Sequence, residues 1–285
     1  MKRILKFALI AALTITLAGC CGGNKSCADQ SKSAIMGETR GSEDFNIGVA
    51  GFTYRKFSID ETLAFLKDMG VHYLSIKDFW LPIGSSVEEM EAFKAKCASF
   101  EVEPYILGPI YMRSQEAVDA AFDYVARFGH DMFIGVPNYE LLDYTASKVR
   151  ETGIKVAIHT HGPDNQPFPN IKDIVDRVKD PAVGIGCCMD LGHSVRYGDD
   201  ILKDIAEYKD WIYDIHMKDE SEASRQGNTW EMGRGVMNYK EIVAALRQIG
   251  YTGKISLEFE KNAENPTPGV AESIGYFRGV CDATK

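Results

Sequence analysis

Residues 45–77 read FNIGVAGFTYRKFSIDETLAFLKDMGVHYLSIK, and the rest of the chain repeats the unit written there. Ile47 to Phe52 is a short apolar run of strand length. Leu63, Phe65, Leu66 and Met69 then recur at helical spacing, with Asp60 placed to cap the helix and Gly70 to end it. Tyr73 to Ile76 opens a second strand. Strand, helix, strand in that order is the start of a parallel α/β fold. A doubly wound sheet would lead one to look for a glycine-rich phosphate turn after its first strand, and Gly51-Phe52-Thr53-Tyr54-Arg55 is not one.

Downstream, further strands are predicted at Pro104 to Ile110, Met132 to Val136, Val156 to His159, Val183 to Met189, Ile212 to His216 and Ile255 to Phe259. Between them lie amphipathic stretches with readable ends. Ser114 caps QEAVDAAFDYVARF before Gly129, and Asn238 caps YKEIVAALRQI before Gly250. Eight such units with no linker predict a (β/α)8 TIM barrel over residues 44–285.

The segment upstream has another composition. Lys2, Arg3 and Lys6 precede the apolar run FALIAALTITLA and then Leu17-Ala18-Gly19-Cys20, the layout of a secretory signal over residues 1–19. The tetrad resembles a bacterial lipobox, which implies lipidation at Cys20. Residues 20–43 are small, polar and rich in Gly and Ser, as in a flexible tether. The expectation is an exported lipoprotein, held to a membrane by its lipid and facing the periplasm or the cell surface.

With 285 residues, 45% hydrophobic and 26% charged, the chain is neither disordered nor a small disulfide scaffold. Its net charge of −9 becomes more negative once the basic leader is removed, and no Lys/Arg cluster follows, so nucleic acid is not an expected partner. The seven cysteines show no C-x-x-C spacing, and Cys187 and Cys188 lie in an apolar run, where thiols pack as small hydrophobes.

In a barrel, chemistry projects from the carboxyl ends of the strands. Here four consecutive strands end in ionisable residues: Ile158-His159-Thr160-His161, Met189-Asp190-Leu191-Gly192-His193, His216-Met217-Lys218-Asp219 and Leu257-Glu258-Phe259-Glu260. Burying such groups costs several kcal/mol each unless they are paired or bound to a cation. One divalent ion held by His159, Asp190, His216 and Glu258 accounts for all four. Two imidazoles and two carboxylates suit Mn, Co, Zn or Fe better than Mg. His161, Lys218 and Glu260 lie two residues further on, one layer nearer the mouth and facing a substrate. Lys77, His193 and Arg234 are further candidates for substrate contact, and Phe79, Trp80 and Trp230 for an apolar wall against a sugar face.

These stretches resemble the sugar phosphate isomerase/epimerase family of xylose isomerase-like barrels. Met232-Gly233-Arg234-Gly235-Val236-Met237-Asn238-Tyr239, then Gly250-Tyr251-Thr252-Gly253, then Glu258 is similar to the family's closing loop, helix, turn and metal-binding Glu. Asp190 with His193 resembles its metal Asp and substrate-contacting His, and His216-Met217-Lys218-Asp219 its metal-His strand. The resemblance implies a small carbohydrate substrate, with Glu258 moving a proton next to a carbonyl and His161, His193 or Lys218 serving as the second proton-transfer group. Where family isomerases commonly carry a second Glu, this chain has His159. That exchange leaves the ion less negatively surrounded and a stronger Lewis acid. The activities implied are isomerisation or epimerisation of an unphosphorylated sugar, or elimination from a 3-keto-glycoside by a lyase or hydratase. A sugar-binding lipoprotein without turnover is the reading outside enzymology.

Overall fold

The computed structural model describes residues 45–163 and 167–285. The leader, the tether and Cys20 lie outside the described residues. The first half of the barrel is β1 (Asn46–Ala50), α1 (Ile59–Asp68), β2 (Tyr73–Ile76), α2 (Val87–Ser99), β3 (Glu103–Leu107), β4 (Ile110–Met112), α3 (Gln115–Phe128), β5 (Met132–Pro137) and α4 (Leu142–Thr152). The second half is β6 (Lys155–His159), α5 (Ile171–Val178), β7 (Ile185–Asp190), α6 (Leu191–Tyr197), α7 (Ile201–Glu207), β8 (Ile212–Met217), α8 (Tyr239–Gln248), β11 (Lys254–Leu257) and α9 (Thr267–Ala283). Two short strands, β9 (Asp219–Glu220) and β10 (Thr229–Trp230), form an antiparallel hairpin between β8 and α8.

The main sheet runs β3-β2-β1-β11-β8-β7-β6-β5-β4, with every neighbour parallel. Its two edges, β3 and β4, are successive pieces of one stave, so the chain itself all but closes the cylinder. The single strand predicted over Pro104 to Ile110 is therefore broken at Gly108-Pro109. Pro109 has no N–H to offer a ladder, and Gly108 takes φ +124° where a Cβ would lie 2.1 Å from the Ile134 carbonyl oxygen.

Other boundaries move for local reasons. Strand β1 stops at Ala50 because Gly51–Tyr54 winds into a 3₁₀ turn, and Val183 lies in another such turn before β7. The cap of α1 is Ser58, not Asp60. Ser58 accepts from the Glu61 N–H while Glu61 accepts from the Ser58 N–H, which satisfies two otherwise orphaned donors. Ser114 and Asn238 cap α3 and α8 as the sequence indicates.

Most apolar burial lies between sheet and helices, in a core that includes Leu63, Leu66, Phe122, Val125, Phe133, Ile242 and Phe277. A smaller cluster of Ile106, Ile134, Ala157 and Cys188 comes from β3, β5, β6 and β7. Alternation along a strand sets Ala157 and Cys188 on the faces that His159 and Asp190 continue, so this cluster floors the functional end.

Candidate metal centre and active site

Sheet stagger brings the four predicted ligands to one height. His159 pairs in register with Cys188, two residues before Asp190; Asp190 is level with His216; His216 is level with Ser256, two residues before Glu258. Because side chains alternate, each two-residue step keeps the same inward face while following the tilt of the staves. Asp190 is also the N-cap of α6 through the His193 N–H at 2.8 Å, which fixes Oδ1 and leaves Oδ2 toward the cluster.

All four side chains are buried. His159 Nε2 and His216 Nδ1 share a hydrogen bond at 3.0 Å, and Glu258 Oε2 lies 3.8 Å from the first and 3.7 Å from the second. Asp190 Oδ2 is 3.9 Å from His159 Nε2. One ligand atom from each of the four lies within 4.8 Å of the others. Atoms bound to one ion at about 2.0–2.2 Å stand roughly 3–3.6 Å apart, so the set fits a divalent metal after small adjustments. Charge agrees. The Lys218 ammonium meets Asp190 at 3.2 Å, Glu258 at 2.9 Å and Glu260 at 3.2 Å, so one cation faces three carboxylates. With all three ionised, two negative charges are left over for a divalent ion to offset.

The titration behaviour follows from burial among these charges. Burial pushes the Asp190 carboxyl up to about 7 against the pull of Lys218. At Glu258 burial acts the same way but is outweighed by Lys218 and His216, which hold that carboxyl well below its usual range. Burial alone would strip the Lys218 proton, yet Asp190, Glu258 and Glu260 keep the ammonium charged. His159 and His193 are held neutral, chiefly by burial and then by His216 and Lys218 respectively. Beneath the cluster, Asp214 Oδ2 lies 3.8 Å from His216 Nε2, beyond hydrogen-bond distance, and the Tyr105 hydroxyl donates to Asp214.

A cavity of about 380 Å³ opens above this floor. His159 and Glu258 reach it from below, with His161, His193, Lys77 and Glu260 around the wall. His161 Nε2 is 3.0 Å from the Tyr111 hydroxyl. Lys218 donates to His193 Nε2 at 3.2 Å.

The model of the xylose isomerase-like TIM barrel family matches residues 43–280. The chain belongs to that family. An inosose dehydratase of Lacticaseibacillus casei is 26% identical over 143 residues, 45% of this chain and 47% of that protein. The chain thus spans about half the length of the curated relatives it matches. Among solved structures, the 3-keto-D-glucoside 4-epimerase YcjR of E. coli superposes with TM-score 0.63 at 15% identity, covering 82% of this chain and 99% of that one. The IOLI protein with a bound zinc atom gives TM-score 0.65 at 16% identity, covering 84% and 99%. At such identities these likenesses establish the fold.

Within this xylose isomerase-like barrel, the sequence candidates separate into two groups. His159, His161, His193, Lys77, Glu258 and Glu260 line the cavity, and Lys218, Asp190 and His216 support it from within. Arg234, Trp230, Trp80 and Phe79 are not among its lining residues. Arg234 is exposed and paired with Glu272, because the Asp219 carboxylate clamps its loop by accepting from Gly233, Gly235 and Met237 N–H groups. Trp80 donates to the Phe57 carbonyl and packs on the core, Phe79 meets Trp80 edge to face, and Trp230 lies on the hairpin. The apolar faces at the mouth belong instead to Phe52 and to Tyr111, which is 45% exposed. The Gly108-Pro109 dipeptide was the available signal for Tyr111, since a break there aims the following residues anew. Arg196 also reaches the cavity, from the end of α6.

Proposed function

We propose that this barrel is a divalent-metal-dependent enzyme that isomerises or epimerises an unphosphorylated sugar by removing the proton next to its carbonyl. The observation that carries the reading is the placement of Glu258 and the His161–Tyr111 couple around one cavity, above the four-residue cluster that fits a metal. His159, Asp190, His216 and Glu258 would hold the ion, which when bound supplies Lewis-acid polarisation of a carbonyl and its neighbouring hydroxyl.

The chain's own groups do the rest. The Glu258 carboxylate receives the carbon-bound proton at the oxygen not turned to the imidazoles and Lys218. Lys218, 2.9 Å from Oε2, keeps the carboxylate ionised in the resting site and holds its direction. Three staves away, burial keeps His161 neutral, and its bond to the Tyr111 hydroxyl makes the two a unit that passes a proton to or from a sugar oxygen. The Lys77 ammonium donates to the Pro109 carbonyl at 2.6 Å and is directed at the cavity, where it orients a hydroxyl. Phe52 and Tyr111 give the C–H face of a sugar ring an apolar surface.

Elimination is the second reading, in which the same first step is followed by loss of an oxygen substituent. It is favoured by the lack of a carboxylate at His159 and by the partial likeness to an inosose dehydratase. One base at Glu258 and one acid at His161–Tyr111 suffice for that course. An unphosphorylated substrate suits a domain working outside the cytosol on a lipid at Cys20, a proposal supported by the basic and apolar leader and the Leu17-Ala18-Gly19-Cys20 tetrad.

The test is incubation of the metal-loaded mature chain with ketohexoses and with 3-keto-glucosides in deuterated water. Deuterium in an intact sugar supports isomerisation, and release of water or an aglycone supports elimination. Glu258→Gln should lower either rate by about 10²–10⁴-fold. Absence of exchange and of release with every sugar would overturn the catalytic reading and leave a sugar-binding lipoprotein.

A further inference from the structure

The cavity above the metal cluster has a neighbour on the far side of Glu260. Arg196 and Glu260 line it and also line a second cavity of about 270 Å³ built against the β9–β10 hairpin, whose other walls include Glu220, Asn228, Thr229 and Lys261. The first cavity, at about 380 Å³, is near the small end of ligand sites. Joined, the two suit a ligand larger than one sugar.

Glu220 marks the second cavity as more than a packing gap. Its side chain is 1% exposed, and Oε2 is buried with no hydrogen-bond partner among the described residues. The other oxygen, Oε1, lies so close to the backbone of Gly192 that a Cβ there would meet it at 2.9 Å. A buried carboxylate oxygen left without a donor is costly unless something arriving later supplies one. Ionic ligands of either sign are disfavoured, because Glu220 and Glu260 share this cavity with Arg196 and with Lys261, the latter paired with Glu231. Hydroxyl groups are suited to Glu220 and Glu260, and the Thr229 hydroxyl and Asn228 amide add further polar groups of the kind that read a polyol. Next to Thr229, the Trp230 indole is 43% exposed, with Lys261 Nζ 5.5 Å from the ring centroid. An exposed aromatic ring beside hydroxyl-binding groups is the composition of a carbohydrate platform.

We propose that the second cavity is a subsite for a further sugar unit, so that the substrate is a neutral keto-disaccharide with its reacting unit over the metal cluster and its partner sugar held by Glu220 and Asn228. This rests on the reading of the first cavity as a keto-sugar site. The hairpin then acts as a specificity device inserted after β8, and free monosaccharides fill only half of the binding surface.

Binding separates the two ideas, because it is read without turnover. Calorimetric titration of the metal-loaded mature chain would compare 3-ketoglucose with the 3-keto derivatives of maltose, cellobiose, trehalose and sucrose. At least one disaccharide should bind about ten-fold or more tightly than 3-ketoglucose. Glu220→Gln and Asn228→Ala should each remove most of that advantage, with metal content and 3-ketoglucose binding unchanged. Should Glu220→Gln fail to fold, Asn228→Ala decides. Equal binding across the panel, or a preference that survives both substitutions, overturns the subsite. Binding of neither class overturns the keto-sugar reading with it, whereas disaccharide binding through these residues without deuterium exchange removes only the proposed chemistry.

Discussion

Lys218 is fully buried, and its ammonium has four polar partners within 3.2 Å, in Asp190, Glu258, Glu260 and His193. Removing one member of a buried ion pair typically costs about 3–5 kcal/mol, because the charge left behind has neither water nor a partner. Lys218→Met should therefore destabilise the metal-free chain by that amount in urea unfolding. The loss should shrink when Mn or Zn is saturating, since the ion then supplies positive charge to the same carboxylates. Equal losses with and without metal would mean that the ion does not share those oxygens. The four cluster residues were legible in the sequence because each ends an apolar strand, where an ionisable side chain has no ordinary reason to be. Phe52 was not legible, because an aromatic residue after a strand looks the same whether it faces a helix or a cavity, and Tyr111 was signalled only by the Gly108-Pro109 break before it. Arg234 shows the converse. Its loop carries the family's closing pattern, but Asp219 draws the backbone inward and leaves the Arg234 side chain outside.

At the scale of elements, periodicity found each stave, and errors fell where a side chain or a proline competes with the ladder. The choice between Ser58 and Asp60 at the start of α1 shows how. Both are good capping residues, and the apolar stripe alone does not say which turn comes first; the decisive signal is Glu61, three residues after Ser58. Ser58→Ala should cost about 1 kcal/mol in chemical denaturation. Asp60 forms an exposed pair with Lys96 at 2.8 Å, so Asp60→Ala should cost within about 0.5 kcal/mol. The reverse order of the two values would restore Asp60 as the cap. The third stave taught a different lesson. Its hydrophobic run reads straight through Gly108-Pro109, while the pairing changes there from β2 to β5. A pattern of period two records which residues are buried, not which neighbour each segment pairs with.

For the whole molecule, the architecture was readable because a repeated strand–helix unit has few ways to bury both sheet faces, and a closed parallel barrel is one of them. The metal was a deduction about energy, and it has a thermodynamic consequence that needs no substrate. An ion that binds the folded chain and not the unfolded one stabilises it by RT ln(1 + [L]/Kd), about 2.7 kcal/mol at a hundred-fold excess over Kd. In a domain of this size each kcal/mol raises the melting temperature by about 2–4 °C, so saturation with Mn, Co, Zn or Fe should raise it by about 5–11 °C. Chelation should reverse the shift without unfolding the barrel at 25 °C, because the sheet–helix core is separate from the cluster and Lys218 already balances part of its charge. His159→Ala should abolish the shift by removing one of four ligands. A melting temperature indifferent to all four ions would refute the metal centre, and with it the proton abstraction that depends on an activated carbonyl, while the barrel itself would stand.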